Sequence, residues 1–294
     1  MTTTHPRSWL FVPADSDRKL AKAATVGADA LILDLEDSVI PDAKSRARLL
    51  AVDYLRQWDH GRGQCWVRCN PINTEAAVED LMAVLPGRPT GVVLPKALGT
   101  ADITRLGRQL DELERENGIE LGHTKIVSVA SETPAAVLKL ADFAGHIDRR
   151  LFGLTWGAED LATELGGTTN RDGTDFTEPY RVVRSLVLVA ARAAGVQPID
   201  TLYSDFRDPD GLALAVARAR RDGFVGMLAI HPDQVAAINT AFTPTAAEIQ
   251  WALAVIAAFK AAPSAGVLSL DGKMIDRPHL LQARQLIQRA QRGQ

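Results

Sequence analysis

The sequence contains few of the features that place a chain in a special class. It has only 2 cysteines in 294 residues, too few for a disulfide framework. Cys65 and Cys69 are four apart in a β-prone run. On a strand that separation is about 13 Å at roughly 3.3 Å per residue, too far to bridge, so both read as small buried side chains. A basic excess is also missing: the formal net charge is -3, with no patch suited to a phosphate backbone, which argues against nucleic acid as a partner. No unbroken apolar run approaches the roughly 18–20 residues of a membrane span. The opening MTTTHPRSWLFVP lacks a basic segment followed by a signal-peptide core. These absences give the expectation of a cytoplasmic protein with no membrane association. No GxGxxG follows the first strand-like run and no GxxxxGK[ST] occurs, which weighs against a nucleotide-binding sheet.

What is present is an alternation. Short apolar, β-prone runs lie at 8–13, 29–37, 65–70, 91–96, 125–132, 151–157, 197–203 and 226–232. Helix-patterned segments fall between them, at 43–58, 101–117, 134–144 and 208–223 among others. Strands alternating with helices imply parallel β-α-β units, and continuous apolar strands imply a sheet covered on both faces. Eight such units in about 240 residues match a (β/α)8 TIM barrel. A doubly wound open sheet is the alternative. We expect a catalytic barrel over residues 1–242 and a C-terminal helical extension over 243–294. The extension would start with Thr245 and Glu248 as a capping box and act as a lid or oligomer arm.

Polar residues collect at the ends of the strand runs. Asp34, Glu36 and Asp37 end the second, Arg68 and Asn70 the third, Lys96 the fourth, and Ser131 and Glu132 the fifth. Glu159 and Asp160 follow the sixth, Asp200 the seventh, and His231 the eighth. In a barrel these ends converge on one mouth, where active sites sit. Glu132 with Asp160 or Glu159 could hold a hard divalent cation such as Mg²⁺, although acidic residues also favour helix N-termini for their own sake. Arg68 is either a structural ion-pair partner of Glu36 or Asp37, or a fork-shaped donor to a substrate carboxylate or enolate oxygen. His231 reads as a helix N-cap sooner than as a general base. No Ser-His-Asp set and no zinc spacing appears.

Seven ordered blocks carry a family resemblance: RSWLFVPADSDRKLAKAATVGADALILDLEDSV, WVRCN, VVLPKA, SETPAAV, LTWGAEDLA, GFVGMLAIHPDQVAAIN and DGKMIDRPHL. Together they resemble the citrate lyase β-subunit-like group of the HpcH/HpaI aldolase family, whose members include malyl-CoA, citramalyl-CoA and citryl-carrier lyases. The resemblance implies a Mg²⁺-dependent carbon–carbon lyase acting on a coenzyme A thioester, assembled as a homotrimer or hexamer. It implies Mg²⁺ on Glu132 and Asp160, with Glu132 also touching substrate. Arg68 would stabilise the keto-acid or enolate oxygen, and Glu36 and Asp37 would surround metal-bound water. Phe11, Arg18, Lys22 and Lys44 would meet the thioester carrier. Asp276, in a lid, would exchange a proton in a neighbouring subunit's site. Met227 stands where relatives commonly have Lys, a change expected to alter carrier binding or charge near the site. Arg68→Ala is expected to lower kcat sharply and leave the fold intact. A metal-dependent aldolase on a free hydroxy-keto acid and a non-catalytic barrel subunit are the other two readings. A full lid favours the thioester, and three intact site residues argue against a dead barrel.

Overall fold

The computed structural model describes residues 5–145 and 148–292. Eight strands form a closed parallel barrel: β1 (Ser8–Pro13), β2 (Ala30–Asp34), β3 (Gln64–Arg68), β4 (Gly91–Leu94), β5 (Lys125–Val129), β6 (Leu151–Thr155), β9 (Gln197–Asp200) and β10 (Gly226–Ala229). β7 (Arg171–Asp172) and β8 (Asp175–Phe176) form a small hairpin between β6 and β9. Each apolar run of the sequence supplies one barrel strand, so the TIM-barrel expectation holds. Helices follow the strands: α1 (Asp17–Ala23), α2 (Lys44–Gln57), α3 (Glu75–Val84), α4 (Thr100–Glu116), α5 (Pro134–Leu138), α6 (Ala158–Leu165), α7 (Glu178–Ala193), α8 (Pro209–Asp222) and α9 (Val235–Phe242). α5 is shorter than its pattern suggests: it stops at Leu138 and a 3₁₀ turn over Leu140–Phe143 finishes the segment.

Alternation along the strands fills the lumen. Trp9, Ile32, Trp66, Val93, Val127, Ile199 and Leu228 form one buried cluster inside the barrel, with Phe152 packed against it. Trp9, Trp66 and Phe152 pack at tilted angles with centroids 5.1, 5.3 and 6.0 Å apart, so an aromatic plug closes the lower lumen. Gly91 is required beside this plug. A Cβ there would lie 2.2 Å from a ring carbon of Trp66. The plug leaves the polar residues that follow the strands on the open side above it.

The same alternation relocates Met227. Its neighbour Leu228 belongs to the lumen cluster, so the buried Met227 points outward, towards the helices. Its side chain therefore bears on the packing outside the wall and does not enter the mouth, contrary to the expectation that it alters carrier contact. Cys65 and Cys69 are buried free thiols, and burial pushes both well above the usual thiol range.

The chain divides into two compact units, residues 6–239 and a second built from 240–294 together with His5. In the second unit, α10 (Ala246–Ala261) and α11 (Arg277–Arg292) pack through Ala252, Val255, Phe259, Leu280 and Ala283. Thr245 and Glu248 form the capping box that starts α10. The turn-rich segment is ordered differently from a purely helical extension: β11 (Val267–Leu270) and β12 (Lys273–Asp276) make an antiparallel hairpin. Asp271 and Gly272, both with positive φ, form its two-residue turn. Residues 232–261 reach the hydropathy and length of a membrane span by composition, although no unbroken apolar run exists there. Pro244 and the Thr245 cap divide the stretch into separate helices, and Ala252, Val255 and Phe259 bury one side of α10 against α11.

Candidate active site

Strand register builds the mouth. Asp34 and Arg68 are register partners at the ends of β2 and β3, two residues above the lumen pair Ile32 and Trp66. Period-2 alternation therefore turns both towards the axis. Arg68 donates from Nε and one terminal nitrogen to the two Asp34 oxygens, each at 2.7 Å. Its other terminal nitrogen lies 3.0 Å from Glu36 Oε2. The guanidinium sits over the Phe11 ring, 4.7 Å from the centroid. Burial is the largest single influence and would raise the Asp34 carboxyl, but the Arg68 hydrogen bonds and charge, with hydrogen bonds from Ser38 and Glu36, together outweigh it and hold Asp34 below its ordinary range. For Glu36, burial outweighs both Arg68 and Lys96, and its carboxyl is raised. The structural ion pair and the mouth position of Arg68 are thus both real. The pair partner is Asp34 with Glu36, and not Asp37.

Lys96 links the two halves of the mouth. It follows β4 in a left-handed backbone conformation (φ 52°), uncommon for a residue with a side chain. That turn aims its backbone N–H at Glu132 Oε2, with which it forms a short hydrogen bond. Its ammonium lies 2.8 Å from Glu36, 3.4 Å from Asp37 and 4.0 Å from Asp160. Opposing its burial, these carboxylates raise it well above an ordinary lysine. Glu36 and Asp37 thus meet through Lys96, Glu36 buried and Asp37 exposed.

Glu132 is 3% exposed, and among the described residues no cation forms an ion pair with it. Burial is the main force raising its carboxyl to about 8, and neighbouring Asp160 and Glu36 add to it. Asp160 lies in the first turn of α6, after Gly157, and is part-exposed. Gly157 leaves space for Glu132: a Cβ there would lie 2.6 Å from Glu132 Cγ. Its backbone is unstrained (φ -105°), so the constraint is steric. Gly157→Ala is expected to displace Glu132 and weaken Mg²⁺ binding at least about tenfold, with little change in global stability. Titration of Mg²⁺ against the variant checks this.

A group of three or more Asp, Glu, His or Cys suited to a metal is absent among the described residues. A Mg²⁺ needs fewer, since it commonly takes one or two carboxylates and completes its octahedron with water and substrate oxygens. Glu132 and Asp160, adjacent and incompletely neutralised, fit that demand. Glu159 is exposed and takes no part in the Lys96 network.

The other expected residues separate. Arg18 and Lys22 are exposed on α1, which leaves the C-terminal end of β1. Lys44 does something else. Its ammonium donates to the Leu35 carbonyl at 2.8 Å, the Glu36 carbonyl at 3.1 Å and Asn70 Oδ1 at 2.9 Å. All three of its donors are used by the protein, which fits anchoring of the β2 loop and leaves nothing for a carrier. Lys44→Met is expected to lower stability by roughly 1–3 kcal/mol, with KM for the thioester nearly unchanged. Thermal unfolding with steady-state kinetics separates this from a carrier role, which would raise KM.

His231 accepts from Asp233 N and caps the 3₁₀ turn Pro232–Gln234. Asp200 is held by Trp156 Nε1 at 2.8 Å and by Arg184 at 2.7 Å, so it buttresses the β6–β9 side. In the second unit, Asp276 Oδ1 lies 2.5 Å from His279 Nδ1, and this contact holds the Asp276 carboxyl below its usual range. Two members of the mouth were not singled out from sequence: Asp34 and Lys96. Each was visible as a strand-end residue. Only the register opposite Arg68 and the left-handed turn at 96 show what they do.

Comparison with known proteins adds to this geometry. The family model described as HpcH/HpaI aldolase/citrate lyase matches residues 7–232, most of the chain. The chain belongs to the HpcH/HpaI aldolase/citrate lyase family. It is an enzyme of the carbon–carbon lyase class. Among curated members, a (3S)-malyl-CoA thioesterase of Cereibacter sphaeroides is 35% identical over 290 residues, 98% of this chain and 95% of that protein. The mitochondrial citramalyl-CoA lyase of Rattus norvegicus is 33% identical over 297 residues, 96% of this chain and 85% of that protein. Among solved structures, the protein CitE of Mycobacterium tuberculosis, in complex with magnesium, acetoacetate and coenzyme A, aligns with a TM-score of 0.78. It is 33% identical and covers 99% of this chain and 100% of that one.

Proposed function

We propose that this family member is a Mg²⁺-dependent lyase that cleaves a 3-hydroxyacyl coenzyme A thioester to an α-keto acid and a shorter acyl thioester, reversibly. The carrying observation is Glu132, a buried carboxyl that among the described residues forms no ion pair and lies within the field of Asp160 and Glu36 at the barrel mouth. Arg68 acts on it only from a distance, and burial with the two neighbouring carboxylates outweighs that charge. Glu132 and Asp160 are the residues that would hold the ion.

A bound Mg²⁺ would supply Lewis-acid polarisation of substrate oxygens. The chain's own residues do the rest. Arg68 has five N–H donors, of which Asp34 takes two and Glu36 faces one, so two remain for a substrate oxygen. Clamped between two carboxylates and over Phe11, the guanidinium is preorganised where negative charge develops as the carbon–carbon bond breaks. Lys96 fixes Glu132 through its backbone and Glu36 through its side chain. Phe11, Arg18 and Lys22, around the end of β1, are assigned to the thioester carrier. Asp276, kept ionised by His279, is assigned the proton exchange with the acyl carbon, acting in a neighbouring subunit of a homotrimer or hexamer.

A second reading is hydrolysis of the thioester itself, favoured by the malyl-CoA thioesterase relative. The two reactions differ in products. Malyl-, citramalyl-, methylmalyl- and citryl-CoA, incubated with and without Mg²⁺, should yield a keto acid and a shorter acyl-CoA from at least one of them. Free hydroxy acid and coenzyme A would establish the thioesterase. Turnover of a free hydroxy-keto acid with none of any thioester would establish the aldolase.

A further inference from the structure

Outside the barrel wall, α7, α8 and the β7–β8 hairpin surround a small cavity behind the loop that follows β9. Arg171, Phe176, Arg184, Asp200, Tyr203 and Arg218 line it, and it has room for about one or two water-sized groups. Two of its three guanidinium groups are answered by carboxylates. Arg184 pairs with Asp200 at 2.7 Å and Asp222 at 2.6 Å, and Arg218 pairs with Asp175.

Arg171 is not answered in this way. Among the described residues no carboxylate lies within ion-pairing distance of it, and its buried Nε has no hydrogen-bond partner. Its side chain makes one long contact, from a terminal nitrogen to the Leu202 carbonyl at 3.4 Å. The guanidinium is sandwiched between the Phe176 and Tyr203 rings, at 4.3 and 5.0 Å from their centroids. Ring faces supply roughly 0.5–2 kcal/mol to a cation, less than the several kcal/mol that burying an ion costs. Three carboxylates thus stand against three guanidinium groups, but both of the other arginines hold theirs by direct contact, and Asp200 and Glu159 act on Arg171 only at longer range. Arg171 is left with its orientation fixed by two aromatics and a hydrogen-bonding edge unused.

We propose that this cavity is a binding site for a compact monovalent anion, taken by Arg171: either a halide or the carboxylate of a one- or two-carbon acid. Its size excludes the phosphates of coenzyme A and any di- or tricarboxylate. The threonines Thr174 and Thr201, also in the lining, supply hydroxyl groups suited to the same ligand. The cavity shares Asp200 with Trp156, and Phe176 packs edge-on against that indole at 4.9 Å. Trp156 adjoins Gly157, which touches Glu132. Occupancy thus braces the strand end behind one side of the mouth. The proposal is independent of which reaction the mouth performs.

The test is titration of the Mg²⁺-free full chain with bromide, chloride or acetate, with gluconate (too bulky for the cavity) holding ionic strength constant. Thermal unfolding and tryptophan emission are followed. The expected result is a saturable rise in Tm of about 3–6 °C with a parallel emission change. The rise should be lost in Arg171→Met. Bromide-soaked crystals of the unmodified chain should show an anomalous peak against Arg171, a readout that does not depend on the variant folding. A response to halide without acetate assigns the inorganic anion, and the reverse assigns a small organic acid. Equal, non-saturating responses in both proteins, or a bromide map with no peak at Arg171 together with no saturable acetate response, would overturn the proposal.

Discussion

Glu132→Gln is expected to abolish turnover, by at least about 10²–10³-fold, while making the metal-free protein more stable. The two effects have one cause. The amide oxygen can still accept from Lys96 N–H, so the loop stays in place. The buried negative charge is gone, and with it the repulsion from Asp160 and Glu36. The pH dependence carries a definite sign. The folded carboxyl is raised from an ordinary 4.5 to about 8, so between those values the folded chain binds more protons than the unfolded one. Metal-free wild type should therefore lose stability as pH rises through that window, by on the order of 4–5 kcal/mol at full effect. The variant lacks this loss. At pH 8 without Mg²⁺, Glu132→Gln should unfold at a higher temperature than wild type, and added Mg²⁺ should reverse the order. A variant that is less stable than wild type at pH 8 without metal would count against the assignment.

Arg68 gives the second large effect, and the structure changes what its removal means. The sequence-based expectation was a clean kinetic lesion with an intact fold. Arg68 is instead the cation between buried Asp34 and Glu36, at 1% and 3% exposure. Truncation to Ala leaves Asp34 without its cation and Glu36 with Lys96 alone, a loss of roughly 3–5 kcal/mol of stability. Arg68→Ala should thus lose both turnover and a large part of its thermal stability. The contributions can be separated. Asp34→Asn combined with Arg68→Met removes the pair together, and should recover most of the stability without recovering turnover. If the double variant turned over substrate at near wild-type rate, Arg68 would have only a structural role.

Much of the fold was legible because its signals are periodic. Each barrel strand is a continuous apolar run, since a parallel strand inside a covered barrel needs apolar side chains on both faces. The strand-end polar residues were legible for a related reason: the barrel gathers all C-terminal ends into one mouth. What the sequence hid depends on register and side-chain reach. Nothing in DLED or VRCN says that Asp34 sits opposite Arg68, and an odd shift would have turned one of them out of the lumen. Lys44 was expected to meet the thioester carrier, and nothing in the sequence shows the three protein oxygens that take up its ammonium. Met227 was read by comparison of residue types, while its orientation follows from the lumen position of Leu228. The β11–β12 hairpin was hidden by its short strands, although Asp271-Gly272 carries the turn signal.

The central claim is that the mouth is a cation site centred on Glu132. Calorimetric titration of Mg²⁺ into the full chain at pH 7, in two buffers of different ionisation enthalpy, tests it most directly. With its carboxyl raised to about 8, Glu132 is mostly protonated at that pH and must lose its proton to bind the ion. The account predicts one Mg²⁺ site, release of close to one proton per ion bound, and loss of both in Glu132→Gln. Mg²⁺ binding of unchanged affinity in that variant, or binding with no proton released, would contradict it.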